Sequence, residues 1–303
     1  MKNKDTFSGC HPVVNFLFFA LVLVFAMIIT HPIFLGISLV SAITYCVWLK
    51  GKKGVLFTVK YMLPLAVLTA VLNPTFSHEG VTILLYLPSG NPLTLESILF
   101  GLGAAGMLIA VILWFSCYSE VMTSDKFVYL FGRVIPALSL VLSMTLRFVP
   151  KFNAQIKVVA ESQRSIGRST SDGGLIRRLR NGVTIFSIMV TWSLENAIET
   201  ADSMRGRGYG LPGRTAFSIY RFDERDKTVL TWLLFCGVFL GAGAIAGGMS
   251  WRYYPSTKGV EINLMTVLFM VGYLALCMTP VILNIAADIK WKKIQEGGQA
   301  DAG

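Results

Sequence analysis

Two short stretches of this sequence place arginine beside glycine, and these residue types are suited to specific recognition. The first stretch is Arg164, Ser165, Ile166, Gly167 and Arg168, and the second is Gly206, Arg207 and Gly208. A guanidinium group carries a permanent charge and a planar fork of donors that can grip a carboxylate through two hydrogen bonds. Glycine allows another backbone to approach closely. The two stretches therefore suit docking against acidic groups.

The other reactive residue types predict neither an enzyme nor a metal or cofactor site. The three histidines, His11, His31 and His78, fall at the ends of apolar runs or in a loop. Five cysteines lie far apart without a CxxC pair, and we interpret them as small buried hydrophobic residues. There is no GxxxxGK[ST] phosphate loop, so this chain is not predicted to be an ATPase.

The elements that position the arginines belong to a membrane protein. Of 303 residues, 54% are hydrophobic and 15% charged, and the mean hydropathy is +0.62. Stretches of about 20 apolar residues are long enough to cross the hydrocarbon layer. They occur at about 12–30, 32–49, 54–73, 96–117, 228–248 and 263–287. The sequence therefore predicts an all-α integral membrane protein with about six transmembrane helices.

A seventh apolar run, Val134 to Met144, is short and is bracketed by Arg133 and Arg147. We predict that it forms an interfacial or re-entrant helix rather than a crossing. The segment from 74 to 95 contains apolar residues, then the turn residues Pro88 to Asn91, then a short return. This pattern predicts a small β-hairpin.

The distribution of Lys and Arg predicts the orientation. Residues 118–226 hold 15 of the 27 basic residues, whereas 74–95 holds none and 250–262 holds two. Because cytoplasmic loops are enriched in Lys and Arg, we place 118–226 and both termini in the cytoplasm. The predicted organisation is four spans with an external hairpin loop (1–117), a cytoplasmic segment (118–226), and two spans with a short basic tail (227–303).

Two long amphipathic helices are predicted in the cytoplasmic segment, and each ends in arginine and glycine. The apolar stripe of the first is Val149, Phe152, Ile156, Val159, Ala160 and Gln163. The second runs from about Arg178 to Arg205, with the stripe Ile185, Met189, Trp192, Leu194, Ile198, Ala201 and Met204. The arginines have two interpretations: they dock into an acidic partner, or they interact with the anionic lipid headgroups of the inner leaflet. Composition alone favours the lipid interpretation.

Four blocks in this segment resemble a known family in their order and spacing. They are Thr123-Ser124-Asp125-Lys126, Leu146 to Pro150, Glu161 to Gly167, and Ala201 to Gly210. Together they resemble the cytoplasmic core of transmembrane (T) components of energy-coupling factor (ECF) transporters, the CbiQ-like family. That family carries two Ala-Arg-Gly motifs whose arginines contact the ATPase subunits. The second motif maps onto Gly206-Arg207-Gly208, and the first onto Ser165-Ile166-Gly167, where Ile166 replaces the arginine and Arg164 and Arg168 flank it.

The resemblance implies a non-catalytic coupling subunit of an ABC-type importer in a bacterial-type cell membrane. The implied partners are two ABC-type ATPases, which bind the ATP, and a small membrane-embedded substrate-binding subunit for a vitamin or micronutrient, including metal ions. Besides the lipid bilayer no further partner is implied, and nucleic acid is not expected. The alternative is a secondary transporter or channel with a basic, lipid-facing segment. A transporter or channel would normally place charges deep inside a span, but the nearest candidates, Lys60 and Glu96, both lie close enough to a span end to snorkel. We also find no inverted internal repeat of the kind seen in many secondary transporters.

Overall fold

Helices make up most of the chain, as its apolar composition predicts. The structure is a computed structural model that describes residues 5–77, 79–86, 92–132, 136–171, 174–211, 220–259 and 263–300, without the side chains of 136–139, 258 and 296–300. The elements in chain order are α1 (Pro12–Ile28), α2 (Pro32–Lys50), α3 (Lys52–Phe57), α4 (Leu63–Phe76), β1 (Ile83–Tyr86), β2 (Pro92–Thr94), α5 (Leu95–Val121), α6 (Ser124–Gly132), α7 (Pro136–Ser165), α8 (Leu175–Gly206), α9 (Glu224–Ile245), β3 (Trp251–Arg252), β4 (Lys258–Gly259) and α10 (Leu264–Ala300). A π-helical turn, Thr58–Met62, joins α3 to α4.

The apolar runs predicted as spans are helical, and the chain is an all-α integral membrane protein. Five helices of the described chain are long and apolar enough to cross a bilayer: Pro32–Lys50, Lys52–Phe76, Leu95–Val121, Glu224–Ile245 and Leu264–Gln295. The first run forms α1, which is apolar but has only 17 residues. That length is at the lower limit for a crossing helix.

The chain forms two compact units. Unit 1 comprises Met1–Thr123 with Tyr220–Gly303, and unit 2 comprises Ser124–Ile219. The predicted boundaries at 117/118 and 226/227 fall inside helices, because α5 continues to Val121 and α9 already begins at Glu224. Unit 2 contains the two arginine–glycine stretches.

In unit 1, α5 packs against α1, α2 and α4. Its Trp114 is fully buried, and the indole N–H donates to Ser38 Oγ of α2 at 3.1 Å. Gly101 lies so close to α4 that an added Cβ would be 2.9 Å from the carbonyl oxygen of Ala70. The absence of a side chain at this position therefore allows α4 and α5 to meet closely.

A polar cluster holds the segment before α1. The Asn284 side chain of α10 accepts from the Thr6 N–H at 2.7 Å and donates its amide to the Asp5 carboxylate. The Tyr45 hydroxyl of α2 donates to the same carboxylate at 3.1 Å. Asn284 is 2% exposed. These bonds attach the beginning of the described chain to its last helix.

Two histidines cap spans, which agrees with the prediction that they lie at span ends. Nδ1 of His11 accepts the N–H of Val13, and Nδ1 of His31 accepts the N–H of Ile33, each at 3.3 Å. A proline follows each histidine, at a position where the missing N–H costs no helical hydrogen bond. Burial lowers the pKa of both imidazoles, and the Asp226 carboxylate opposes this shift at His11. His78 lies outside the described residues.

The hairpin predicted between 74 and 95 is present, with β1 antiparallel to β2. The predicted turn, 88–91, lies outside the described residues. Glu96, in the first turn of α5, accepts from both the N–H and the hydroxyl of Thr82, the latter at 2.9 Å. This carboxylate is 4% exposed, so it is occupied by the hairpin and does not snorkel. The Glu96 carboxylate also stabilises α5, because a negative charge near a helix N-terminus interacts favourably with the helix dipole.

Unit 2 differs from the predicted arrangement in one helix. The predicted interfacial helix at Val134 to Met144 is wrong as a separate element, because α7 runs unbroken from Pro136 to Ser165 and has Pro150 inside it. Proline removes one helical hydrogen bond, but the preceding residues of the helix include four leucines with Ala137, Met144 and Arg147, all of which favour helix. Arg147, interpreted as a boundary, is an exposed residue within this helix.

The apolar stripes predicted on α7 and α8 are only partly covered within the chain. Within the chain, Phe152 and Val159 of α7 are half-buried, whereas Val149 and Ile156 are 51% and 41% exposed. On α8, Met189 is buried and Ile185, Trp192 and Met204 are half-buried. Leu194, Ile198 and Ala201 are exposed. The two helices therefore carry more apolar surface than they cover for each other.

Candidate functional site: two matching helix ends

The first arginine–glycine stretch ends α7 in a Schellman motif. The N–H of Gly167 donates to the Arg164 carbonyl at 3.0 Å, and the N–H of Arg168 donates to the Gln163 carbonyl at 2.9 Å. Gly167 has φ of +76°, the left-handed conformation that this motif requires and that glycine adopts without strain. Ile166 is the last residue before the chain reverses. We call residues 164–168 the first helix end.

The second stretch ends α8 in the same motif. The N–H of Gly208 donates to the Arg205 carbonyl at 2.9 Å, and the N–H of Tyr209 donates to the Met204 carbonyl at 3.0 Å. Gly208 has φ of +78°. Arg207 is the cap residue before the reversal. We call residues 205–209 the second helix end.

The hydrogen bonds make the two helix ends equivalent position by position. Ile166 corresponds to Arg207, and Arg164 corresponds to Arg205. The correspondence extends back along both helices, where Ala-Glu-Ser (160–162) matches Ala-Asp-Ser (201–203). The family resemblance had already paired Ser165-Ile166-Gly167 with Gly206-Arg207-Gly208, and the hydrogen bonds extend the pairing to Arg164 and Arg205.

The side chains at both helix ends are exposed. Ile166 is 62% exposed, and Arg164, Arg168 and Arg207 are also exposed. Arg205 lies 3.9 Å from the Asp202 carboxylate, an exposed pair that contributes little to stability. Arg164, Arg168 and Arg207 make no ion pair within the described part of the chain. These three guanidinium groups are therefore available to an acidic partner.

A loop clasp attaches the first helix end to α8. The Asn181 amide donates to the Ser169 carbonyl, and Arg178 Nε donates to the Thr170 carbonyl, both at 2.8 Å. The Ser171 N–H closes the loop by donating to Ser169 Oγ at 3.1 Å. Asn181 is only 8% exposed. Neither Arg178 nor Asn181 was predicted to have a role, because carbonyl acceptors leave no trace in the sequence.

Helices α7 and α8 contact each other through a pair of aromatic rings and a lysine ammonium group. The rings of Phe152 (α7) and Trp192 (α8) meet edge to face at 5.3 Å. Lys151 Nζ lies 5.5 Å from the Trp192 ring centroid and 3.3 Å from Asn196 Oδ1. Such edge-to-face and cation–π contacts add to area burial. The contact couples the helices that carry the two helix ends.

The beginning of α8 presents an uncovered apolar groove. The groove has a volume of about 600 Å³ and is lined by Thr170, Leu175, Arg178, Leu179, Gly182, Val183 and Phe186. Leu175 is 73% exposed, and the neighbouring Ile176 is 83% exposed. Contiguous apolar surface of this kind marks interaction sites. Arginine and apolar surface thus lie together in unit 2.

Comparison with known proteins assigns the family. Residues 6–217 match the family CbiQ, described as cobalt transport protein. The chain belongs to the CbiQ family. The match covers both helix ends and confirms the resemblance that the four sequence blocks indicated.

Individual relatives of this CbiQ-family chain are ECF proteins. It is 34% identical over 113 residues to the energy-coupling factor transporter transmembrane protein EcfT of Lactobacillus helveticus, covering 37% of this chain and 41% of that protein. It is 31% identical over 112 residues to EcfT of Bacillus selenitireducens (37% and 42%). It is 33% identical over 90 residues to EcfT 1 of Listeria monocytogenes (29% and 34%). The chain therefore spans about two fifths, or less, of the length of these relatives.

Proposed function

We propose that this protein is the transmembrane coupling subunit of an ECF-type ABC importer. The observation that carries the proposal is the pair of equivalent helix ends, each closed by the same Schellman motif and each presenting one cap side chain, Ile166 or Arg207. Two equivalent ends suit two similar partners. The relatives from Lactobacillus helveticus and Bacillus selenitireducens are named as such transmembrane proteins.

The partners in this proposal are two ATPase subunits and a small membrane-embedded substrate-binding subunit. Each ATPase docks on one helix end. At the second helix end, a carboxylate of the ATPase accepts two hydrogen bonds from the Arg207 guanidinium group. At the first, Ile166 makes an apolar contact, and Arg164 and Arg168 lie beside it. The uncovered apolar residues of α7 and α8 face the substrate-binding subunit. The cargo is a vitamin or micronutrient, including metal ions, and it is chosen by that subunit.

This chain acts as scaffold and lever. The ATPases bind and hydrolyse ATP, and the resulting movement of the helix ends passes through α7 and α8, which contact each other through Phe152 and Trp192. A rigid helix transmits displacement of one end to the other. The chain itself is non-catalytic, because it lacks a nucleotide-binding loop. Unit 2 and both termini lie in the cytoplasm of a bacterial-type cell.

The test is copurification of the two ATPases with full-length protein carrying single substitutions. Arg207→Ala should weaken binding by about 2–5 kcal/mol, because it leaves a partner carboxylate unpaired. Arg207→Lys should restore binding only in part, since lysine keeps the charge but lacks the planar fork. Binding is compared at low and high salt, because an ion pair is screened.

Arg252→Ala is the control, since it removes another exposed arginine, one that lies in unit 1. It should bind the ATPases like the wild type. If Arg207→Ala also binds like the wild type at both salt concentrations, the helix ends do not dock ATPases, and the arginines are better explained as partners of lipid headgroups. ATP hydrolysis by the rigorously purified chain alone would contradict the scaffold role.

A further inference from the structure

The β1–β2 hairpin carries apolar side chains that the rest of the chain does not cover. All four residues of β1 are exposed, and Val81, just before it, is 71% exposed. No charged residue lies between 81 and 86, and 74–95 holds neither lysine nor arginine. A strand that faces water on one side normally alternates apolar with polar residues. The hairpin therefore lacks the pattern of a loop that stands in water.

Both faces of β1 are equally open. Leu85 and Tyr86 are consecutive residues in register with β2, so their side chains point to opposite faces of the hairpin. Each is 68% exposed. The surface of one partner protein would cover one face and leave the other in water. Fluid lipid can surround both.

The base of the hairpin is fixed at the first turn of α5. The Leu95 N–H donates to the Thr82 carbonyl at 3.0 Å, and the Thr82 hydroxyl donates to Glu96 at 2.9 Å. Because α5 has 27 residues, it is about 40 Å long. Centred on a hydrocarbon layer of about 30 Å, it begins roughly 5 Å outside that layer, among the lipid headgroups. These bonds therefore hold the hairpin at the membrane surface.

The spans next to the hairpin carry the same kind of surface. β2 contacts both α4 and α5. Phe76, the last residue of α4, is 81% exposed, and Leu95 and Leu99 of α5 are 41% and 38% exposed. Lipid that surrounds these two spans therefore also reaches the hairpin.

We propose that the β1–β2 hairpin is immersed in the interfacial layer of the bilayer, on the side opposite residues 118–226, with lipid covering both faces of β1. Tyr86 suits this depth, because its ring is apolar and its hydroxyl polar. The hairpin stays out of the hydrocarbon, since the N–H and C=O groups at its open edges need water or headgroups as partners. The proposal goes beyond ATPase coupling, because it uses neither helix end.

The experiment measures the surroundings of a spin label on each face of β1. Leu85→Cys and Tyr86→Cys are labelled one at a time in a full-length chain whose five cysteines have been replaced, in nanodiscs of phosphatidylcholine and phosphatidylglycerol. Collisions of the label with oxygen, which concentrates in lipid, are compared with collisions with a water-soluble nickel chelate. Val238→Cys, at an exposed apolar residue of α9, is the lipid reference, and Thr257→Cys, at an exposed polar residue after β3, is the water reference.

At both positions of β1, the ratio of oxygen collisions to nickel collisions should be close to that of Val238→Cys and several-fold above that of Thr257→Cys. Leu84→Asp places a carboxylate on β1, and transferring this charge into lipid is unfavourable. It should therefore move the hairpin towards water and lower the ratio at Tyr86→Cys several-fold. Leu84→Ile is the matched control and should leave the ratio unchanged.

A nickel-dominated ratio at either position would overturn the proposal, because that face would then stand in water. Loss of collisions with both reagents at either position would also overturn it, because protein would then cover that face. The same measurement on the chain copurified with its ATPases from native membranes extends this second test to partner proteins. An unchanged ratio with Leu84→Asp would show that apolar contact with lipid does not hold the hairpin, against the proposal. ATPase copurification should be unaffected by Leu84→Asp, so failure here is distinguishable from failure of the proposed coupling role.

Discussion

Ile166 occupies at the first helix end the position that Arg207 occupies at the second. Ile166→Arg should therefore place a guanidinium group at a cap position whose backbone already matches. If the partner presents a carboxylate there too, copurification of the ATPases should strengthen by about 1–3 kcal/mol. Ile166→Ala should weaken it by no more than about 1–3 kcal/mol, the contribution of one apolar side chain. Weaker binding of Ile166→Arg would instead indicate an apolar pocket on the partner.

His31 should make the stability of unit 1 sensitive to acid. Burial lowers its pKa below 6.5, so in mildly acidic solution the unfolded chain binds more protons than the folded one. Stability is therefore complete above about pH 6.5 and falls as the pH drops towards the folded-state pKa. His31→Asn retains a capping acceptor but cannot titrate. In thermal unfolding scans in detergent between about pH 7.5 and 5, this variant should lose part of the pH dependence.

The remaining pH dependence of His31→Asn should belong partly to His11, whose pKa is also lowered. His11→Asn is therefore the matched comparison, and the double variant should be flatter than either. If His31→Asn follows the wild-type curve at every pH, the imidazole is not kept neutral by burial. The imidazole would then contribute through its capping bond with Ile33 and its ring contacts with Phe34 and Trp251.

At the scale of elements, the hydrogen bonds of the loop clasp should keep the end of α7 and the loop that follows it well ordered. Asn181→Ala removes the amide that holds the Ser169 carbonyl, at a local cost of about 1–3 kcal/mol. Hydrogen exchange of the peptide containing 166–171 should become faster, while α8 itself stays protected. Asn196→Ala, on the same helix and bonded to Lys151 instead, should leave that peptide unchanged. Equal exchange in Asn181→Ala and wild type would show that the clasp does not order this loop.

Sequence patterns predicted an element correctly where a single property of the sequence determines that element. Apolar length alone identified the spans, and turn residues identified the β1–β2 hairpin. The same reasoning failed at α7, because Arg147 suggested a boundary that the helix continues through. It also could not anticipate the loop clasp, whose acceptors are backbone carbonyls. The Asn284 contacts were equally unpredictable, because they join residues 278 and 279 positions apart. The resemblance paired the two helix ends despite the isoleucine at 166, but it could not show that the same pair of backbone hydrogen bonds closes both.

At the scale of the whole molecule, the Lys and Arg distribution predicts the sidedness. In a chain whose five buried cysteines have been replaced, Ser77→Cys and Ser250→Cys should react with an impermeant thiol reagent on intact cells. Ser187→Cys, on the exposed side of α8, should react only after permeabilisation. Reaction of Ser187→Cys in intact cells, or of Ser77→Cys only after permeabilisation, would reverse the assigned topology.

The bond between Asp5 and Asn284 has a consequence for biosynthesis. The ribosome synthesises Asp5 early and Asn284 late. The hydrogen bond between the Asp5 carboxylate and the Asn284 amide can therefore form only after almost the entire chain has been made. Until then the segment before α1 lacks one of its partners. A nascent chain stalled before α10 should therefore remain open to proteases at its first residues. The last helix thus completes the contacts of the segment that precedes the first helix.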